Sequence, residues 1–376
     1  MDFLNEADKK TAEDIWNKLE KKLQRVAVRS GNKIPYKAVD GIRNDMSEKE
    51  IQCWTNGFWP ALMYLMYQGT GNSVFLKTAE TAENKLDKAF ENFEVLNHDL
   101  GFMWHISSGA GYRITKNPKS RQRNLLAANL LMSRYNLRGN FIRAWNAECY
   151  GWSIIDCMMN IPLLYWASEV TADPRYAYVA MGHADSTLQN HVRADGSVNH
   201  IVVYDHINGD VLETKGGQGY GEGSSWSRGQ AWGLYGFILS YIHTKKEEYL
   251  DAAKKIAHYF IANVCDDYLT RCDFRSPENP VIYDSTAGVI AACGLIEIAK
   301  AVGEFEKPLY LNAAICLIKA TEQRFCDWSD GSDCIVTYGT EAYHCDESGK
   351  HIPIIYGDYF FAEAVYKLMG NDLLFW

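Results

Sequence analysis

Asp156 is the one carboxylate in the apolar run Trp152-Ser-Ile-Ile-Asp-Cys-Met-Met-Asn-Ile-Pro-Leu-Leu164. An ionisable group among isoleucines, methionines and leucines is costly unless it is paired, metal-bound or protonated. An apolar, tryptophan-lined setting raises a carboxyl pKa, and a second carboxylate nearby raises it further. A carboxyl that keeps its proton near neutral pH can act as a general acid. The candidate second carboxylate is Asp99, in Leu96-Asn-His-Asp-Leu-Gly-Phe-Met-Trp104, just before another apolar helical pattern. An aspartate at that place serves equally as a helix N-cap.

A third segment supplies a plausible pocket wall. Gly216, Gly217, Gly219, Gly221 and Gly223 lead into Ser224-Ser-Trp-Ser-Arg-Gly-Gln-Ala-Trp-Gly-Leu-Tyr-Gly-Phe237. Glycines let a backbone approach a ligand closely. The indoles of Trp226 and Trp232 suit the apolar face of a sugar ring, and the guanidinium of Arg228 suits a carboxylate. Trp54, Trp59 and Trp145 stand at similar helix boundaries and extend the same lining. The glycine-rich loop lacks Gly-Lys-Ser/Thr, so it is no phosphate loop, and neither HExxH nor EF-hand spacing occurs. Asp205-His206 with Asp210 reads as a solvated turn, so no metal and no cofactor is expected.

These residues need a scaffold, and the chain repeats one. Amphipathic patterns over about 8–27, 57–69, 73–92, 100–113, 118–135, 153–169, 174–191, 228–243, 247–264, 284–302, 307–324 and 357–369 predict twelve helices. Asn117-Pro118 and Asp173-Pro174 are N-cap and N1 signals at two of the short junctions. Six helical hairpins joined by longer, glycine- and tryptophan-rich loops on one side suggest a closed toroid. The expected fold is therefore all-α, an (α/α)6 barrel. Val198 to Thr214, with Asn208-Gly209 as its turn, adds a small β-hairpin on the rim. No linker interrupts the pattern, so residues 1–376 read as one domain.

Composition narrows the partners. A net charge of −9 over 376 residues argues against nucleic acid or an anionic membrane surface. No run approaches the ~20 apolar residues of a membrane span, and the charged amino terminus has no signal-like apolar core. Ten cysteines without a CxxC pair read as reduced thiols in a cytoplasmic protein. Composition leaves the oligomeric state open.

Five blocks together resemble the unsaturated glucuronyl hydrolases, glycoside hydrolase family 88. They are Trp54-Thr-Asn-Gly-Phe-Trp59, His98-Asp-Leu-Gly-Phe102, Ile154 to Leu164, Ser224 to Phe237 and Tyr356-Gly-Asp-Tyr-Phe-Phe361. The resemblance runs from about Trp54 to about Phe361. It implies an (α/α)6 barrel that removes a 4,5-unsaturated uronic acid from the non-reducing end of oligosaccharides left by polysaccharide lyases. It also implies Asp156 as acid and base, assisted by Asp99. Sugar contacts would fall on Trp54, His98, Trp145, His200, Gln218, Trp226, Arg228 and Trp232.

The sequence departs from the family at several positions. Asn56 and Asn97 stand where relatives often carry aspartate and histidine. Near the carboxyl terminus some relatives carry Ser-x-x-Ser-x-Lys, where this chain has Cys345-Asp-Glu-Ser-Gly-Lys350. Ser348 and Lys350 keep two of those three positions, and the two acidic residues before Ser348 oppose a sulfate. Two other readings share the barrel. One is an unsaturated rhamnogalacturonyl hydrolase acting on pectin fragments. The other is a sugar epimerase, which would need paired histidines at inner-helix starts, and spacing alone reveals none.

Overall fold

The structure is a computed structural model that describes residues 4–372 and 375–376. Twelve α-helices dominate the described residues: α1 Glu6–Ser30, α2 Phe58–Thr70, α3 Ser73–Phe90, α4 Ala110–Thr115, α5 Pro118–Met132 and α6 Pro162–Thr171 in the first half. The second half holds α7 Pro174–Asn190, α8 Ser227–Thr244, α9 Glu247–Asn263, α10 Ser285–Ala301, α11 Lys307–Phe325 and α12 Ile355–Leu368. Each expected helical segment finds a counterpart. Side chains of Asn72, Asn117 and Asp173 cap α3, α5 and α7, and Pro118 and Pro174 open the latter two.

Burial separates an inner from an outer ring. Helix α8 is buried from Ser227 to Ser240 and α12 along its whole length, so each touches neighbours on every side. A helix apolar all round belongs in an interior. By contrast α3 buries only Phe75, Ala79, Ala82, Glu83, Leu86 and Ala89, a single stripe. The inner elements are α2, the Gly101–Gly109 segment continued by α4, α6, α8, α10 and α12. Each packs on the next, and α12 returns to α2. The ring is thus a closed (α/α)6 barrel, and one hydrophobic cluster spans it from Leu4 to Trp376.

Among the described residues, seven short strands lie in the loops that lead into inner elements. β1 (Ala38–Val39) pairs with β2 (Ile42–Arg43), and β3 (Tyr135–Asn136) with β4 (Phe141–Ile142). β5 (Trp152–Ile154), β6 (Ile201–Tyr204) and β7 (Val211–Lys215) form an antiparallel sheet in that order. The expected rim hairpin is β6–β7. Asp205, His206 and Asp210 lie in its turn, where the Asp205 carboxylate accepts from the Ile207 N–H at 2.8 Å. The third strand was hidden inside the expected helix beginning at 153. Its residues extend instead, because Ile154 pairs with Ile201 and Ser153 with Val202.

Two further details differ from simple helices. Gly101–Gly109 is a π-helix, a form often found at functional sites. Asp156 lies in a 3₁₀ turn, Ile155–Met159, that links β5 to α6. No helix among the described residues is long and apolar enough to cross a membrane.

Candidate active site

The rim sheet sets two functional side chains next to each other. Ile155 N–H donates to the His200 carbonyl at 3.0 Å, continuing the β5–β6 pairing by one residue. Asp156 therefore leaves β5 beside the residue that enters β6. His200 Nε2 stands 3.4 Å from Asp156 Oδ1, and both side chains are buried. After β7, the chain turns back so that the Gln218 N–H donates to His200 Nδ1 at 3.0 Å.

The same ladder carries the second carboxylate. Ala144 N–H donates to the Trp152 carbonyl at 2.8 Å, and His98 N–H to the Ala144 carbonyl at 3.1 Å. His98 Nε2 then lies 3.5 Å from Asp99 Oδ1. Asp99 is no side-chain N-cap, since the π-helix begins two residues later with Leu100 at the cap position. Gly101 lets this segment press onto the Asp156 turn, because a Cβ there would sit 2.5 Å from Asn160 Cα. Behind it Arg134 donates to the carbonyls of Leu96, Arg143 and Ala144 and to Asn146 Oδ1, at 2.9–3.2 Å.

Trp54, His98, Asp99, Trp145, Asp156, Gln218 and Arg228 line one cavity of about 490 Å³, completed by Asn97, Phe102 and Ile154. Trp54 stacks on Tyr356 at 5.1 Å between ring centroids and remains partly exposed. Trp145 meets the His98 ring edge-on at 6.2 Å. Burial, and then the charge of Asp156, push the Asp99 carboxyl from 3.8 up to about 8. Burial likewise pushes His98 down to about 3, so its imidazole is neutral. A wider open groove of about 1010 Å³, lined by Arg138, Asp185, Asn190 and Asp210 among others, contains none of the expected residues.

Several expected contacts have other occupations. Arg228 is fully buried and ion-paired with Asp284, and it donates to the carbonyls of Thr340 and Glu341 at 2.7 Å each. Three of its five N–H groups are thus committed to the protein. Burial opposes its charge, but Asp284 more than compensates and raises its pKa. The Trp226 ring lies against His200 at 4.4 Å and under the Arg228 guanidinium at 4.6 Å. Trp232 is fully buried, 5.1 Å from Phe102 and 5.5 Å from Phe360, and does not border the cavity.

Ser348 and Lys350 belong to an exposed turn, Glu347–Gly349 and its flank, where Lys350 Nζ pairs with Glu347 at 2.9 Å. They too lie outside the cavity lining. Gln218 ties that region to the site, donating from Nε2 to the Glu341 carbonyl at 2.7 Å while its own carbonyl accepts from Tyr343 N–H. Phe102, Tyr356, Asp284 and Asn160 were missed from sequence. Phe102, Tyr356 and Asn160 stand within the quoted blocks, but nothing local marks Asp284 as the partner of an arginine 56 residues away.

Among the described residues no group of three His, Cys, Asp or Glu side chains is arranged to hold a metal ion. What the cavity offers is a carboxyl pair, of which Asp99 retains a proton at neutral pH, in a lining that Trp54 and Trp145 share. Such a pair can give a proton to a bound molecule and take one from water.

Comparison with known proteins agrees with the geometry. The profile of Glycosyl Hydrolase Family 88 matches residues 26–239. An unsaturated glucuronyl hydrolase of Bacillus sp. (strain GL1) is 36% identical over 86% of this chain and 88% of its own length. An unsaturated chondroitin disaccharide hydrolase of Streptococcus pyogenes serotype M1 is 32% identical over 86% of this chain and 83% of its own. The crystal structure of an unsaturated glucuronyl hydrolase from Streptococcus agalactiae superposes with a TM-score of 0.91 at 29% identity, covering 99% of this chain and 94% of that one. The cavity, the closed barrel and these likenesses agree, and the chain belongs to glycoside hydrolase family 88.

Proposed function

We propose that this chain, acting as one catalytic domain, removes a 4,5-unsaturated uronic acid from the non-reducing end of glycosaminoglycan-type oligosaccharides. The observation that carries the reading is the buried pair Asp99 and Asp156 in a tryptophan-walled cavity, with Asp99 pushed up to about 8. The relatives named for glucuronyl and chondroitin disaccharide hydrolysis support the same substrate class.

Ordinary glycosidases flank the anomeric bond with an acid and a base or nucleophile. An unsaturated uronide opens another route, because its C4=C5 bond is an enol ether. The π electrons of C4=C5 take a proton from the Asp156 carboxyl at C4. The positive charge left at C5 is shared with the ring oxygen. Water adds to C5 and returns a proton to the Asp156 carboxylate. The C5 hemiketal opens to a ketone, and the hemiacetal thereby formed at C1 collapses to an aldehyde, releasing the next sugar's hydroxyl. One carboxyl thus serves as acid and then as base.

Asp99, its carboxyl pushed up to about 8, is the reservoir that holds a proton beside Asp156. Trp54 and Trp145 hold the ring by its apolar faces. The substrate's carboxylate meets the two uncommitted N–H groups of Arg228 and the amide of Gln218. Turnover in D₂O tests the route. Hydration places one deuterium at C4 of the released keto sugar, on a single face. Cleavage at C1 would release a sugar that takes deuterium at C4 only later, in solution and on both faces, so deuterium spread over both faces from the first turnovers would overturn the scheme.

A further inference from the structure

Both histidines beside the carboxyl pair are held from behind by a hydrogen-bond donor, and this determines which ring nitrogen carries the proton. Asn160 Oδ1 accepts from the Phe102 N–H at 2.7 Å, which orients the amide. Its NH₂ group therefore faces His98 Nδ1 at 3.5 Å, as well as the Asp156 carbonyl at 3.5 Å. An NH₂ group cannot accept, so His98 Nδ1 is the bare nitrogen and Nε2 carries hydrogen. That Nε2 stands 3.5 Å from Asp99 Oδ1.

His200 repeats the arrangement on the other carboxyl. The Gln218 N–H donates to its Nδ1 at 3.0 Å, leaving Nε2–H directed at Asp156 Oδ1, 3.4 Å away. Those two atoms are buried, and neither forms a hydrogen bond with the other or with any further protein group, so the pair stands just beyond hydrogen-bond contact. Residue 217 must be glycine for this approach. Its φ is +56°, and a Cβ would fall 2.0 Å from His200 Nδ1.

We infer that Asn160 and the Gly217–Gln218 peptide are positioning groups that lock His98 and His200 as Nε2–H donors, one aimed at each carboxyl of the pair. The catalytic meaning rests on the proposed hydration, but the tautomers are a property of the protein itself. A donor aimed at Asp156 engages most strongly once that carboxyl has given up its proton, so it favours the charge that develops on transfer to C4. With Nδ1 occupied on both rings, neither imidazole is available as a base. Burial keeps His98 neutral, in accord with this role.

The test is long-range ¹H–¹⁵N correlation spectroscopy of the histidine rings in the whole, ligand-free protein, with His98→Gln and His200→Gln assigning the two resonance sets. Wild type should show both rings neutral and protonated on Nε2. Asn160→Asp puts an acceptor behind His98, so that ring alone should move to the Nδ1–H or doubly protonated pattern. Loss of that one donor should lower kcat roughly tenfold to a hundredfold. Gly217→Ala should disturb the His200 pattern and leave His98 unchanged. A wild-type ring found protonated on Nδ1, or variants that fold but leave their ring patterns unmoved, overturns the inference. If the variants do not fold, the wild-type spectrum alone decides. Correct tautomers in a protein inactive on every unsaturated uronide would refute the proposed function and leave the locks standing.

Discussion

Replacing Asp99 with asparagine should stabilise the protein, by an amount that grows with pH. Burial and the neighbouring Asp156 charge raise the Asp99 carboxyl from 3.8 to about 8. Between those values the folded state holds a proton that the unfolded chain releases. The associated stability is fully present below 3.8, falls as pH rises, and is lost once pH passes about 8. At 1.36 kcal/mol per unit, the loss amounts to at most about 4 kcal/mol at pH 7 and about 6 kcal/mol above pH 8. Asparagine has nearly the same shape as the protonated acid and cannot ionise. Urea unfolding of wild type and Asp99→Asn at several pH values between 4 and 9 reads the difference directly. The gap between the two should be smallest at the acid end and widen by several kcal/mol towards pH 8. It should widen less in an Asp156→Asn background, where the second cause of the shift is gone. A gap that stays constant over this range would refute the reasoning, since Asp99 would then have no raised pKa.

Other expectations follow from the same geometry. If the proton held by Asp99 is required, kcat/KM should fall as pH rises past about 8, whereas a flat profile from pH 6 to 10 would exclude a proton donor of this kind. Trp54→Ala removes a partly exposed ring of the cavity wall while Tyr356 stays in place, so steady-state kinetics should show KM rising more than kcat falls. Arg228→Ala leaves Asp284 buried without its cation and should cost about 3–5 kcal/mol in denaturant unfolding. Unchanged stability with a raised KM would make Arg228 a substrate ligand only.

The helical frame was legible because its signals are local. Asn117-Pro118 and Asp173-Pro174 cap and open helices by chemistry confined to a few residues, and one-sided stripes such as Phe75, Ala79, Ala82 and Leu86 declare an outer helix. Asp156 stood out because a carboxylate in an apolar run is anomalous wherever the chain leads. What stayed hidden depends on distant partners. Trp152–Ile154 reads as the start of a helix until Ile201–Tyr204 pairs with it. Arg228 reads as a free cation until Asp284 arrives from the next inner helix, and Trp232 reads as a sugar platform until Phe102 and Phe360 cover it. The two histidines beside the carboxyls lie 102 positions apart, at 98 and 200, so only the fold makes them a matched set.

The most direct test of the central claim is ultraviolet absorbance of unsaturated chondroitin and hyaluronan disaccharides mixed with the protein, because hydration destroys the conjugated C4=C5 chromophore. Wild type should bleach the signal. Asp156→Asn, folded by its circular dichroism, should be slower by at least ~10²–10⁴-fold, the usual contribution of positioned proton transfer. Near-normal bleaching by Asp156→Asn, or an unchanged signal with wild type on every unsaturated disaccharide, would contradict the account.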